Sequence, residues 1–477
     1  MQKRKNLITA LFVISLLFLG VSIIIAPQSI LLILTCIVFI LMIGYCFQNL
    51  ENNVFLFCFL ICFFTYLLSG QVLDRVLGVY NYGFSDEIEL HTDLSLLISL
   101  IGLLIGYLVS RKVTFGVGNE TKNQKTSIDF NGSYCITIRK IGRYAFYLSY
   151  VFWLFTMLDR AIYVYRHGYI NYYISYSANV NIIIRVLGSV APSAFYLFLA
   201  TMPKKKEIRL PLALYLIYMF LSLGTGRRIH FMTGVVLVFA YFLCRNSINP
   251  DVKPWIPRKT MIRIIITIPL LITAMYLFEY IRSDYYVGNS DDYSPIVGFF
   301  IRQGTSINVI KYAEKYKSGL DPSAHYSLYT LIRWLQSSFI NRLLGLKLDF
   351  AFGVQTEMTA LHGTNLADYV SYKAMPYTYL RGGGWGSCYI AELYADFGYI
   401  GVLLGSILYG VLLDGILKGI RLNKSIWSTA LGLLIVSSLF KAPRASFDDF
   451  LANFLYFYNW IIIPFAYIIV KRVKQKK

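Results

Sequence analysis

The chain has 477 residues, of which 57% are hydrophobic and 15% charged, and its mean hydropathy is +0.56. Soluble domains carry about a quarter charged residues, and a chain this apolar lacks the polar groups to cover a water-facing surface. That excludes a soluble enzyme, a disordered chain and a disulfide scaffold, and predicts an all-α polytopic membrane protein. Lys and Arg number 45 against 25 Asp and Glu. Such an excess reads first as nucleic-acid binding. Basic residues also collect in the cytoplasmic loops of membrane proteins, and here that reading is preferred, so no nucleic-acid partner is expected.

In chain order, apolar runs predict about twelve spanning helices. They fall at 7–25, 29–48, 53–71, 93–110, 144–165, 182–202, 210–223, 229–244, 264–280, 393–417, 426–441 and 450–470. The first run is too long for a signal peptide and no small-residue cleavage site follows, so it reads as a retained span. Alternating ten-residue segments of a barrel are absent, as is an internal repeat of the transporter kind. The organisation expected is spans one to nine over 1–281, a large, partly helical external loop over 282–391, and the last three spans over 392–477.

Lysine sets the orientation. The run Lys204, Lys205, Lys206 and the tail Lys471, Lys474, Lys476, Lys477 share a side with the N-terminus, which puts both termini in the cytoplasm. Arg139 falls on the same side and reads as a topology charge. Many arginines do the opposite. Arg227, Arg228, Arg302, Arg333, Arg381 and Arg444 fall outside or at outer helix ends. A guanidinium offers a planar fork matched to phosphate, so this side is read as an anion-binding face; the alternative is pairing with nearby Asp and Glu. Ionisable residues at outer span ends, among them Asp159, Arg185, Glu279 and Asp448, point to one polar cavity opening outwards. The loop at 72–91 adds Asp74, Arg75 and Glu89. Seven cysteines without metal-ligand spacing predict neither a zinc site nor a disulfide.

The segment 381–398 reads RGGGWGSCYIAELYADFG. Its glycines allow positive φ and close backbone approach to a ligand, and the helix that follows presents N–H groups to an anion. Glu392 and Asp396 are four residues apart and share a helical face. The spacing matches neither a dinucleotide fingerprint nor a P-loop. The plainer alternative is a flexible lead-in to the tenth helix with both acids solvated.

The stretch 383–401, with the many spans, the long loop and the outward arginines, resembles the Wzy-type oligosaccharide repeat-unit polymerases of O-antigen, capsule and exopolysaccharide. Arg342 and Gly353 also show an Arg-x10-Gly spacing known in such loops, but with 34 glycines one match is close to chance. The resemblance implies a GT-C-like bundle in the bacterial cytoplasmic (inner) membrane. It implies a glycosyltransferase that moves glycan from one undecaprenyl-diphosphate carrier onto the next carrier-linked repeat unit. Arg227, Arg228, Arg302, Arg333, Arg381 and Arg444 would hold the departing diphosphate, and Glu392, Asp396 or Glu279 would accept the acceptor's proton. The implied partners are the undecaprenyl-diphosphate-linked oligosaccharide, membrane lipids and a chain-length regulator protein. No cofactor is implied and the transfer is expected to be metal-independent. An O-antigen ligase and a lipid-linked oligosaccharide flippase stay open as alternatives, though the long external segment argues against the flippase.

Overall fold

The computed structural model describes residues 29–80, 82–112, 130, 132–168, 171–172, 176, 179–226, 228–248, 255, 263, 272–273, 293–337, 355–423 and 425–475. Among the described residues there are helices and no strands. The longer helices begin with α1 Ile30–Gln48, α2 Val54–Leu77, α3 Asp86–Lys112, α4 Ser133–His167, α5 Ile182–Ala200, α6 Lys205–Leu221 and α7 Arg228–Ile248. Six shorter ones follow: α8 Pro295–Gln303, α9 Ile307–Lys315, α10 Tyr329–Ser337, α11 Glu357–His362, α12 Leu366–Ala374 and α13 Pro376–Leu380. The series closes with α14 Tyr389–Asn423, α15 Ile426–Leu439, α16 Asp449–Leu455 and α17 Ile462–Gln475.

Eight of these helices, some with a flanking turn, are long and apolar enough to cross a membrane: α1, α2, α3, α5, α6, α7, α14 and α15. They coincide with eight of the expected spans. The expected span at 7–25 lies outside the described residues, as does 264–280 apart from two positions. Residues 144–165 fall inside α4, which runs 35 residues. That is about 52 Å at 1.5 Å per residue, well beyond a hydrocarbon core. The expected helix at 450–470 is broken into α16, a 3-10 turn at Phe457–Asn459 and α17. Tyr456 leaves the helical region (φ −96°, ψ 95°), and the indole N–H of Trp460 donates to the Phe454 carbonyl at 3.0 Å. A side chain thus satisfies a carbonyl at the break, as an apolar setting demands.

The chain forms two compact units. One comprises Met1–Lys112, Lys253–Asp414 and Phe440–Asp448. Its spine is α3 beside α14, packed through glycines. A Cβ on Gly106 would lie 2.0 Å from the Ile407 carbonyl oxygen, and one on Gly410 would lie 2.2 Å from that of Leu103. Lipid gives helices no hydrophobic reason to associate, so such close backbone approach supplies the contact through dispersion. Contacts of His91 with Tyr394 and Tyr399, and of Arg111 with Asp414, show that the two helices run parallel. A second glycine contact, Gly70 against Gly304, seats the 3-10 turn Gly304–Ser306 on α2, just beyond a buried π segment at Phe64–Leu68. Gly398 (φ 61°, ψ −154°) adopts a conformation that only glycine reaches easily, and it splits α14 into a short first piece ending at Phe397 and a longer second one.

The other unit comprises Val113–Val252, Gly415–Leu439 and Asp449–Lys477. Here α4 meets α5 through Gly142 and Gly188, Phe195 stacks on Tyr215, and Phe146 lies tilted against Phe195. Arg139 is buried rather than a free topology charge. It donates to the Thr201 carbonyl at 2.9 Å and the Phe130 carbonyl at 2.8 Å, and pairs with Glu207 at 3.2 Å. Those acceptors are the reason a charge can sit there.

Candidate functional site

In the first unit, the C-terminal end of α2 and the N-terminal ends of α3 and α14 converge, and most of the unit's buried polar groups are there. The loop expected at 72–91 is largely helix. Asp74 and Arg75 lie in the last turns of α2 and Glu89 in the first turns of α3. Lys311 of α9, wholly buried, donates to Asp74 at 2.7 Å and to Glu89 at 2.6 Å. Arg75 pairs with Glu89 and with Asp93, while the Gln71 amide bonds both of those carboxylates. Three acids, two cations and an amide thereby fix α9 to the ends of α2 and α3.

A second set of carboxylates holds helix starts. Asp396 accepts the backbone N–H groups of Tyr326 and Ser327, at 2.9 and 2.8 Å, and the Ser327 hydroxyl at 2.6 Å. Asp448, also buried, accepts the N–H groups of Thr330 and Leu331, at 3.2 and 2.8 Å. The first N–H groups of a helix have no internal partner and carry partial positive charge. Two acids distant in sequence therefore clamp the turn at Tyr326–Leu328 and the start of α10, the helix that carries Arg333. Glu392 is fully buried and accepts the Ser387 hydroxyl and, at 2.8 Å, the Phe447 N–H. It ties the glycine-rich turn to the 440–448 segment.

The turn itself is pinned rather than a flexible lead-in. The Gln355 amide donates to the Gly383 carbonyl at 3.1 Å, and the Trp385 N–H donates to Ser371 Oγ at 3.0 Å. Gly382 and Gly386 take positive φ, as the sequence leads one to expect.

The structure brings Glu392, Asp396, Arg302, Arg333, Arg381 and Arg444 into one unit. Arg333 is exposed and donates to the Tyr329 hydroxyl at 3.5 Å. Arg381 is exposed and lies 4.0 Å over the Tyr377 ring. Arg444 is half-buried and donates to Gln303 at 3.1 Å, and half-buried Arg302 sits one residue before that glutamine. Arg228 opens α7 in the other unit. Arg227, Glu279, Arg342 and Gly353 lie outside the described residues.

Sequence reasoning gave no role to Asp368. It stands in the first turn of α12, half-buried, and accepts from Asn365 at 2.8 Å. Burial pushes its carboxyl up to about 6, against the downward pull of Asn365, Tyr379 and Arg333. A carboxyl near 6 is ionised at neutral pH yet basic enough to take a proton. The signal was masked because an acid three residues after an Asn cap reads as a capping box.

These features define a multi-pass α-helical membrane protein in which exposed Arg333 acts electrostatically on half-buried Asp368. The family model for O-antigen polysaccharide polymerase Wzy matches residues 7–477, and the chain belongs to that family. Membership makes it a polymerase with glycosyltransferase-type chemistry, acting on lipid-linked oligosaccharide repeat units. The expectation carried by 383–401 thus holds over essentially the whole chain. No curated protein and no solved structure matches it.

Proposed function

We propose that this polymerase works on the outer face of the bacterial cytoplasmic membrane, with both termini inside and 282–391 outside. In this reading its substrate is an oligosaccharide repeat unit on undecaprenyl diphosphate. The acceptor hydroxyl attacks the anomeric carbon of the donor glycan and loses its proton to Asp368. The bond from that carbon to the diphosphate oxygen breaks, and the lipid diphosphate departs with the electron pair. Arg333 and Arg381 stabilise it through bidentate, charge-assisted hydrogen bonds, so the transfer requires no metal.

The observation that carries this assignment is the placement of exposed Arg333, on a helix clamped by Asp396 and Asp448, in the field of Asp368. Glu392, Asp396 and Arg444, each held by neighbours, act as positioning residues. Arg302 joins the diphosphate set, and Glu279 the acids, on sequence grounds. A chain-length regulator protein is the proposed macromolecular partner.

Deleting the gene should leave surface glycan of single repeat units in place of a ladder. Polymer accumulating on its carrier outside, with none reaching the surface, would instead indicate a ligase. Carrier-linked single units trapped in the cytoplasm would indicate a flippase. In complemented cells Arg333→Lys should shorten the ladder at normal protein level, because Lys keeps the charge and loses the fork. A cysteine at position 320 should react with an impermeant thiol reagent in spheroplasts, whereas one at 122 should not.

A further inference from the structure

Beside the glycine-rich turn, aromatic rings from three separate stretches meet. Tyr82 and Phe84 precede α3, Tyr312 and Tyr316 lie one helical turn apart at α9, and Trp385 stands in the turn itself. The Trp385 ring lies 5.6 Å from that of Tyr82 and 5.5 Å from that of Tyr312. Tyr312 is packed edge-on by Phe84 at 4.9 Å and stacks parallel to Tyr316 at 6.0 Å.

Burial separates floor from face. Tyr312 is 7% exposed and forms the floor, whereas Tyr82, Tyr316 and Trp385 are only half-buried. Gly384 and Gly386, on either side of Trp385, are exposed and have no side chain to cover the indole. Among the described residues the Trp385 indole N–H is buried and has no acceptor. Exposed Lys315 stands at the edge, with its ammonium 5.8 Å from the Tyr316 ring centre.

The surface is also rigid. Trp385 is held through Ser371, and the Tyr369 hydroxyl donates to the Tyr316 carbonyl at 2.9 Å. Ser371 and Tyr369 both belong to α12, the helix that carries Asp368.

A sugar ring has an apolar face of C–H bonds and an edge of hydroxyls. Aromatic faces are electron-rich and meet the first, while the ammonium of exposed Lys315 meets the second. A membrane-interface belt needs no preorganised ring cluster. We propose that Tyr82, Tyr312, Tyr316 and Trp385 form a platform that binds a pyranose ring of the repeat-unit glycan next to the transfer site. The proposal rests on the polymerase reading for its ligand and on the ring geometry for its location.

The test uses the full-length protein in lipid nanodiscs. The probe is the repeat-unit oligosaccharide freed from its lipid and diphosphate by mild acid, with binding followed by saturation-transfer NMR and titration calorimetry. Trp385→Ala and Tyr316→Ala should each weaken binding about tenfold, the loss of one aromatic contact. Trp385→Phe keeps a ring but a smaller one, so a loss of about threefold is expected. It also serves where the alanine variant fails to fold. No measurable binding to wild type would overturn the platform, as would wild-type affinity in Trp385→Phe and Tyr316→Ala. Altered lipid retention with unchanged glycan affinity would mark a belt and overturn it too. Loss of the polymer ladder on gene deletion, alongside wild-type affinity in the aromatic variants, would remove the platform and leave the polymerase reading standing.

Discussion

The α3–α14 pair is finished in opposite ways at its two ends. At the Lys112 end a single guanidinium is the hub. Arg111 donates to Asp414, Tyr45, Tyr107, Asn53 and the Asn52 carbonyl, and lies over the rings of Tyr45 and Tyr107. At the Asp86 end Gln71, Asp74, Arg75, Glu89, Asp93 and Lys311 interlock, and Lys311 arrives from more than 200 positions along the chain. The first end is a closed knot between neighbouring spans. The second is a joint that fastens the 293–316 segment to the spans, and the aromatic platform is built on that segment. Stability is needed at both ends, but in the proposed reading only one also places chemistry.

The comparison breaks most readily at Lys311. Lys311→Met would leave Asp74 and Glu89 buried without their shared cation, and breaking a buried pair costs about 3–5 kcal/mol. Little folded protein should be recovered, as judged by fluorescence-detected size exclusion with thermal challenge. Arg111→Met should cost a similar amount, because Asp414 is only 2% exposed and would be left buried without its cation. The folded fraction of Arg111→Met should polymerise at the wild-type rate. Equal melting of Lys311→Met and wild type would show that the joint is not what holds the segment.

Asp396→Asn and Asp448→Asn sharpen the comparison further along the same end. Each amide keeps one acceptor oxygen and turns a donor toward a backbone N–H, at about 1–3 kcal/mol. Melting should fall modestly, while polymerisation per folded molecule falls more, because the helix bearing Arg333 loses its clamp. Proportional loss of both quantities would assign the two acids to stability alone.

These contrasts also mark what could be read without coordinates. The spans are legible because a membrane imposes a run of about twenty apolar residues, and no rival structure satisfies the backbone there. The break at Gly398 was not legible, since a lone glycine in an apolar helix is ordinary. Glu392 and Asp396 were legible as a pair on one face by their four-residue spacing. Their partners were not, because Tyr326, Ser327 and Phe447 contribute backbone N–H groups that carry no sequence signature. Lys311 and Arg139 fail for a related reason: a basic residue in such a chain reads as a loop or topology charge until its buried acceptors are seen. Tyr82, Tyr312 and Trp385 are too far apart in sequence for any spacing rule to join them.

The smallest effect is the most discriminating, and it concerns Asp368. Its carboxyl is raised from 3.8 to about 6 in the folded protein, chiefly by burial. Between those values the folded state holds a proton that the unfolded state has released. This group's contribution to stability is therefore fully present below about 4, declines as pH rises, and is lost above about 6. Activity should move the other way, since a base must be ionised to accept the acceptor's proton. Polymerisation by wild-type protein in nanodiscs should rise through about 6 and level off above it. Asp368→Asn removes both slopes: at neutral pH it should melt no lower than wild type while polymerising far more slowly. A structural carboxylate would give the reverse pattern, with lower melting and a normal rate per folded molecule. Melting curves from pH 4 to pH 8, set beside initial rates over the same range, separate the two roles, and an Asp368→Asn variant that keeps the wild-type rate and its rise with pH excludes this residue as the base.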